Sequence, residues 1–502
     1  MITPISPAGT IAIAIVGSGG AGAITAGSLL LEAAGQFGWY GLMTRSVGPQ
    51  IRGGEALAMV RLSSTPVLGH GDRFDVLLAL DWCNADRFVD EVPLDADSLI
   101  IADAQAGDPP AAILASGARL VTVPLIDLAD DIAEGRPNIV ALGLLARLLT
   151  LPVKPLVALV GRVLNRKRLN PTYLHQALMA GHSAAAALDG SVRPPPLATD
   201  DGTRWLLTGN EAAALGALRG GVRFVAVYPI TPATDLSEWL APRLHQLGGH
   251  MIQAEDEIAA LNMVLGAAYG GVPALTATSG PGLALMSETL GLAVASEIPA
   301  VVIDVMRGGP STGIPTKSEQ SDLNIALYGL HGDAPHLVLA PSSVNDCLVV
   351  TEWAVRLAEA LQCPAIVLSD QFLGQSQAVC DRPPTEGASA SPRLTARNGV
   401  SSYDRYAVTA DGISPMALPG TAGGQYTADG LEHNAHGTPS SRAVDHRAQL
   451  DKRRDKLLRY DFGPDWIEVD GEGDLAVLTW GSAAAPTLEA ATLARAQGLA
   501  VK

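Results

Sequence analysis

The sequence predicts an α/β protein built from successive domains, and three features carry that expectation. Short apolar runs alternate with longer helical patterns along most of the chain, the grammar of parallel sheets covered on both faces by helices. Near the N-terminus a glycine loop, Gly17-Ser18-Gly19-Gly20-Ala21-Gly22, joins an apolar run to a helical one, as a strand-to-helix turn at a ligand site does. Two loop-like stretches then interrupt the pattern, and 502 residues are more than one hydrophobic core usually organises.

Taken in order, strands are expected at residues 11–16, 76–79, 99–102 and 120–124, with a helix over 24–34, which places a first domain at 1–185. Residues 186–204 contain Pro194, Pro195 and Pro196; a triple proline cannot continue a helix or a central strand and reads as a stiff linker. A second domain follows at 205–380, with strands at 223–228, 274–278, 300–305, 337–340 and 365–368. Its helices are expected at 257–269, 283–296 and 344–361. Residues 381–472, opening on a run of Pro, Ser, Ala and Gly, read as an irregular connector. The segment 473–502 reads as one strand at 475–478, one helix at 484–496 and the start of another strand. Such a unit cannot bury a core of its own, so it is expected to be an incomplete α/β segment.

Composition excludes several classes. The net charge is −17 and no basic stripe is present, so a nucleic-acid partner is not expected. Cys83, Cys347, Cys363 and Cys380 stand far apart without a CxxC pair, the wrong spacing for a zinc ribbon, a ferredoxin-type cluster or a disulfide framework. They are expected as small buried residues in a reducing, cytoplasmic protein. No apolar stretch approaches the ~20 residues of a membrane helix, and the N-terminus lacks the basic region of a leader.

The glycine loop suggests a phosphate at a helix N-terminus. A dinucleotide site would add an acid closing the next strand, and Trp39-Tyr40-Gly41-Leu42-Met43-Thr44-Arg45 supplies none. A nucleotide-dependent dehydrogenase is therefore kept only as an alternative. A second loop, Gly48-Pro49-Gln50-Ile51-Arg52-Gly53-Gly54-Glu55, carries an arginine suited to phosphate. Gly19, Gly20 and Arg52 are thus candidates for a phosphate-bearing ligand, against the plainer reading of tight turns and a surface ion pair.

Stronger chemistry lies in the second domain. Tyr228-Pro229-Ile230-Thr231-Pro232 leaves an apolar strand, and ligands of open α/β sheets sit beyond such strand ends. Next, Glu255-Asp256-Glu257 opens a helix continued by Ile258, Ala259 and Ala260. One acid favours the helix N-terminus, while a second, buried among small apolar residues, can share a proton. Thiamine chemistry needs such a carboxyl at N1′ of the aminopyrimidine.

The segments Thr278-Ser279-Gly280-Pro281-Gly282-Leu283, Glu297-Ile298-Pro299, Arg307-Gly308-Gly309-Pro310-Ser311-Thr312-Gly313-Ile314-Pro315-Thr316-Lys317 and Gln320-Ser321-Asp322-Leu323 follow, with Gly209-Asn210-Glu211-Ala212 upstream. Together these closely resemble the α subunit of 2-oxoacid:ferredoxin oxidoreductases, fused to an N-terminal domain similar to the family's γ subunit, as in the 2-oxoglutarate type. The resemblance implies a Rossmann-like γ domain, a thiamine-diphosphate-binding domain of the pyrimidine type, and the beginning of a transketolase C-terminal-like domain.

It also implies roles. Glu257, nine residues before Gly266, matches the thiamine-family glutamate. Thr231 and Arg307 match positions that hold the C1 carboxylate of the 2-oxoacid, and Tyr228, Pro229 and Ile230 line the cofactor. Gly19, Gly20 and Arg52 would serve coenzyme A, and Lys317 would meet a distal substrate carboxylate unless it is a solvated loop lysine. The Gly-Asp-Gly motif for magnesium and diphosphate is absent from the sequence. In the family that motif and a [4Fe-4S] cluster lie on a β subunit. The resemblance therefore implies a half-site completed by a β partner in an (αβ)2 heterotetramer, no metal on this chain, and electrons passed to ferredoxin or another acceptor. Pyruvate or branched-chain and aryl 2-oxoacids remain alternative substrates, and a non-catalytic scaffold subunit remains an alternative role.

Overall fold

The computed structural model describes residues 9–48, 54–164, 170–196, 204–383, 392–399 and 402–502. The chain forms two compact units, Met1–Thr208 with Gln375–Pro383, and Gly209–Gly374 with Pro384–Lys502.

Fourteen strands are assigned among the described residues. The first unit begins with β1 (Thr10–Ser18), β2 (Tyr40–Val47), β3 (Glu55–Ser63), β4 (Val76–Ala79), β5 (Leu99–Asp103), β6 (Arg119–Val123) and β7 (Arg204–Thr208). The second contains β8 (Phe224–Val227), β9 (His250–Gln253), β10 (Ala274–Thr278), β11 (Ala300–Met306), β12 (Leu337–Leu339) and β13 (Pro364–Asp370). The chain then returns to the first unit for β14 (Gln377–Asp381).

The first sheet runs β6-β5-β4-β1-β3-β2-β14-β7. Its β6-β5-β4-β1 half is parallel, as expected. The other half departs from the expectation of a purely parallel sheet. β3 is antiparallel to both β1 and β2, and β14 is antiparallel to β2 and β7. β2 and β3 are consecutive antiparallel partners in register from Val47↔Ala56 to Tyr40↔Ser63, and residues 49–53 of the second glycine loop lie outside the described residues. β7 and β14 also move the expected boundary: residues 204–208 and 377–381 are strands of the first sheet, not of a second domain at 205–380. There β14 is paired on both sides, with β2 and with β7, which satisfies its backbone groups. Helices Ala23–Gln36, Pro137–Leu148 and Pro171–Ala184 bury one face of this sheet with Leu30, Val60, Leu142 and Leu178, while Phe74, Trp82, Phe88 and Ile113 cover the other.

The second sheet, β12-β13-β11-β10-β8-β9, is parallel throughout. β9 lies on one side of β8 and β10 on the other, so the winding reverses between β8 and β10. Crevices at such switch points, beyond the carboxyl ends of the strands, are where open α/β sheets bind ligands. Helix Glu257–Tyr269 forms over the expected residues; the helix expected at 283–296 is two pieces, Gly280–Leu285 and Ser287–Ser296, broken at Met286.

The connector is less irregular than its composition suggests. Helix Ala443–Arg459 lies within it and buries Gln449, Lys452, Arg453 and Lys456. This stripe has helical spacing but is polar, so hydrophobic periodicity does not reveal it. Lys452 and Lys456 bind the buried carboxylate of Glu297 at 2.6 and 3.0 Å. At the C-terminal end, helix Ala484–Ala496 forms as expected, whereas residues 475–478 make only a bridge between Leu475 and Val501. Cys347 and Cys363 are buried, but Cys83 is exposed, contrary to expectation, because it follows β4 in the turn where its amide bonds Asp81. No helix of the described residues is long and apolar enough to cross a membrane.

Candidate active site

The carboxyl ends of β8, β9, β10 and β11 each deliver one part of the candidate site. Beyond β9, Asp256 caps the next helix by accepting from the Ala259 amide at 2.7 Å. The capping duty falls on Asp256, which leaves Glu257, the first helical residue, for other work. Glu257 is only 7% exposed, and its helix packs through Ala260, Leu261 and Val264 into the core.

Gly282, in the short helix after β10, lies directly against that carboxylate. A Cβ there would come within 2.0 Å of Thr278 Oγ1 and 2.9 Å of Glu257 Oε1. Only glycine therefore lets this turn pack so closely against Thr278 and Glu257. A buried carboxyl beyond these strand ends is the kind of group that pairs with a ring nitrogen such as an aminopyrimidine's.

After β8, the segment Tyr228 to Ile230 is partly exposed and Thr231–Pro232 is a cis peptide. Two side chains brace this turn. Asn210 is buried and its Nδ2 donates to the Pro232 carbonyl at 2.9 Å. Arg307, one residue beyond β11 and 6% exposed, donates from Nη1 to the Thr231 carbonyl at 2.5 Å. The structure thus joins Thr231 and Arg307, two residues that the sequence pairs only through the resemblance. Arg307 Nε is buried without a hydrogen-bond partner. Burial lowers the guanidinium's pKa, and nearby Asp322 partly opposes this.

The loop from Arg307 to Gln320 folds over the same edge. Gly308 and Lys317 are tied by the Gly308 amide to the Lys317 carbonyl at 3.0 Å, and Glu319 accepts from the Gly309 amide at 2.7 Å. Lys317 is half-buried. Gln320 reaches the Trp480 carbonyl at 2.9 Å, so the C-terminal segment braces this loop.

The glycine loop of the first unit is held differently from a dinucleotide fingerprint. Asp81, two residues beyond β4, accepts from the Ser18 amide with both oxygens at 2.9 and 3.0 Å and from the Ser18 hydroxyl at 2.8 Å. An acid does therefore close the neighbouring strand. It belongs to β4, the spatial neighbour of β1, and not to β2, the next strand in sequence. Gly19 donates its amide to the Gly54 carbonyl, Gly20 is exposed with φ +108°, and Arg52 lies outside the described residues.

Comparison with known proteins agrees with this arrangement. The thiamine-diphosphate-binding profile of pyruvate flavodoxin/ferredoxin oxidoreductase matches residues 215–452, and the pyruvate ferredoxin/flavodoxin oxidoreductase profile matches residues 12–184. The 2-oxoglutarate oxidoreductase subunit KorA of Mycobacterium tuberculosis is 32% identical over 481 residues, which cover 88% of this chain and 72% of that one.

The chain belongs to the α-subunit family of 2-oxoacid:ferredoxin oxidoreductases.

Within that family, the α subunit of 2-oxoacid:ferredoxin oxidoreductase 1 from Sulfurisphaera tokodaii is 41% identical over 300 residues. The match covers 56% of this chain, which spans about half, 47%, of that relative's length. A solved 2-oxoglutarate:ferredoxin oxidoreductase from Magnetococcus marinus, with 2-oxoglutarate, coenzyme A and succinyl-CoA bound, superposes with TM-score 0.88 at 37% identity, covering 98% of this chain and 86% of that one.

Sequence reasoning passed over four members of the site's surroundings. Asn210 was noticed without a role. Gly282 gives no local signal, because its importance lies in where Thr278 and Glu257 converge. Asp304 and Asp322 did leave a signal: Asp304 interrupts the apolar run Ala300–Met306, and an unpaired acid in a buried strand is rare enough to ask about.

Proposed function

We propose that this chain is the α subunit, with fused γ domain, of a coenzyme A-dependent 2-oxoacid:ferredoxin oxidoreductase that converts 2-oxoglutarate to succinyl-CoA and CO2. The observation that carries the reading is the buried Glu257 carboxylate packed against Gly282, beyond the same run of strand ends as the Thr231–Arg307 pair. The similarity to KorA chains and to the Magnetococcus enzyme supports the choice of 2-oxoglutarate.

Thiamine diphosphate, when bound, supplies the carbon nucleophile and the electron sink for decarboxylation. Glu257 would hold a proton at N1′ of the aminopyrimidine, and Tyr228, Pro229 and Ile230 would line its binding site. Arg307 grips the C1 carboxylate with its remaining donors, a task suited to the guanidinium fork. Thr231 fixes the same group from the adjoining turn, and Lys317 meets the distal carboxylate. Gly19, Gly20 and Arg52 contribute to coenzyme A. A β subunit brings magnesium, the diphosphate pocket and the [4Fe-4S] cluster, passes electrons to ferredoxin or another acceptor, and completes an (αβ)2 heterotetramer in the cytoplasm.

The test is co-expression with the β subunit and an assay of CoA-dependent dye reduction across 2-oxoacids. The complex should turn over 2-oxoglutarate and the chain alone should not. Lys317→Ala should raise the apparent KM for 2-oxoglutarate far more than that for pyruvate. Equal effects on both would remove Lys317 and the 2-oxoglutarate assignment it supports.

A further inference from the structure

Behind Arg307 lies a pair of acids that none of the roles above uses. Asp304 sits in β11, in register with Thr278 of β10 and Leu368 of β13, and is fully buried. Both of its oxygens are buried without a hydrogen-bond partner, and the neighbouring charge that acts on it is Asp322. Asp322 in turn has one buried oxygen with no such partner. A fully buried carboxyl with no donor and a second acid beside it disfavours two charges, and a proton on one of them relieves this. The other charged groups around the pair are Arg307 and Glu319, both acting on Asp322.

Asp322 is placed to transmit this coupling. It precedes helix Leu323–Tyr328 and caps it through its own carbonyl, which accepts from the Ala326 amide at 2.9 Å. On its other side a Cβ at Gly280 would lie 2.6 Å from Asp322 Oδ2, so its carboxyl packs against the turn that carries Gly282. The loop from Arg307 to Asp322 is thus pinned at one end by Arg307 on Thr231 and at the other by Asp322 on Asp304.

We propose that Asp304 and Asp322 share a single proton and act as a positioning pair, setting Arg307 for the substrate carboxylate and the Gly280–Gly282 turn for Glu257. This rests on the function proposed above. Burial raises the Asp304 carboxyl well above the ordinary range and the neighbouring Asp322 charge raises it further, while burial also raises Asp322. A proton at neutral pH follows from both the geometry and these shifts.

The experiment uses the αβ complex. Infrared spectroscopy at neutral pH should show the carbonyl stretch of a protonated carboxyl that disappears in Asp304→Asn. The amide of Asp304→Asn can donate to Asp322 as the acid did, so that variant should retain kcat/KM within about threefold, whereas Asp304→Ala should lose about 10²-fold, the scale of a small misplacement at a reacting centre. The alkaline fall of wild-type kcat/KM should be absent in Asp304→Asn, a change that a merely structural role does not produce. No such band, equal losses in the two variants, or an unmoved alkaline limb would each overturn the pair. A wild-type complex that turns over no 2-oxoacid would instead overturn the proposed function, because the infrared band is read without turnover.

Discussion

At the scale of single residues, the site separates duties that the sequence places side by side. Asp256 caps the helix and Glu257 packs against Gly282, so Glu257→Gln should leave thermal stability unchanged. It should lower turnover of the αβ complex by about 10²–10⁴-fold, the range of a positioned acid–base group. Gly282→Ala is the sharper test. Alanine is the better helix former, yet its Cβ would fall 2.0 Å from Thr278 Oγ1. Thiamine-diphosphate affinity, measured by calorimetry on the complex, should drop although Glu257 is intact. Unchanged affinity would show that the close packing of Gly282 on Glu257 does not serve the cofactor. Glu257 was legible because an acid stands where small apolar residues follow. Gly282 was not, since its constraint comes from contacts between three separate segments.

At the scale of elements, helix Ala443–Arg459 shows how a polar stripe can serve as an internal face. Glu297, in the left-handed region at φ 51°, ends helix Ser287–Ser296 and is surrounded by Lys452, Lys456 and Arg405. Burial alone would raise its pKa, but Lys456, Lys452 and Arg405 hold it well below the carboxylate range. Burial also lowers Lys452 to about 8 against the pull of Glu297. For Glu297, with its folded pKa depressed, the stabilisation is complete above its unfolded value of 4.5 and is lost as pH falls below it. For Lys452 the folded state binds fewer protons than the unfolded one between about 8 and 10.5, so its contribution to stability rises with pH over that window. Glu297→Gln leaves cations facing one another. It should destabilise the protein by about 3–5 kcal/mol at neutral pH, and by less above pH 8, when followed by denaturant unfolding. Similar losses at both pH values would argue that the cluster is held by packing alone. The parallel strands and helix Glu257–Tyr269 were legible from apolar runs; this helix was not, because its buried positions are Gln, Lys and Arg.

At the scale of the whole molecule, the sequence disclosed the number of sheets but not the route of the chain through them. Residues 204–208 and 377–381 stand 168 residues apart at their nearer ends, and nothing local in either says that they are neighbours. Pairing across such a separation is decided by the sheet that receives them. In the structure β7 and β14 lie side by side, with Thr208 opposite Gln377, and β14 lies beside β2 with Val379 packed against the helix that follows β1. The first unit is therefore fastened from both ends of the chain's longest excursion. Consider a protease site engineered after Gly190, which is exposed between the last helix of the first unit and β7. Cleavage there leaves β7 and β14 on the downstream fragment, yet β14 stays laddered to β2 on the upstream one. The nicked protein should elute from a sizing column as one particle and come apart only in denaturant; two separate peaks under native conditions would contradict the strand order. The peptide bond after Gly190 is, on this account, dispensable to the first unit once folding is complete, since its two parts are held by the hydrogen-bonded seam of β14 on β2 and not by a tether.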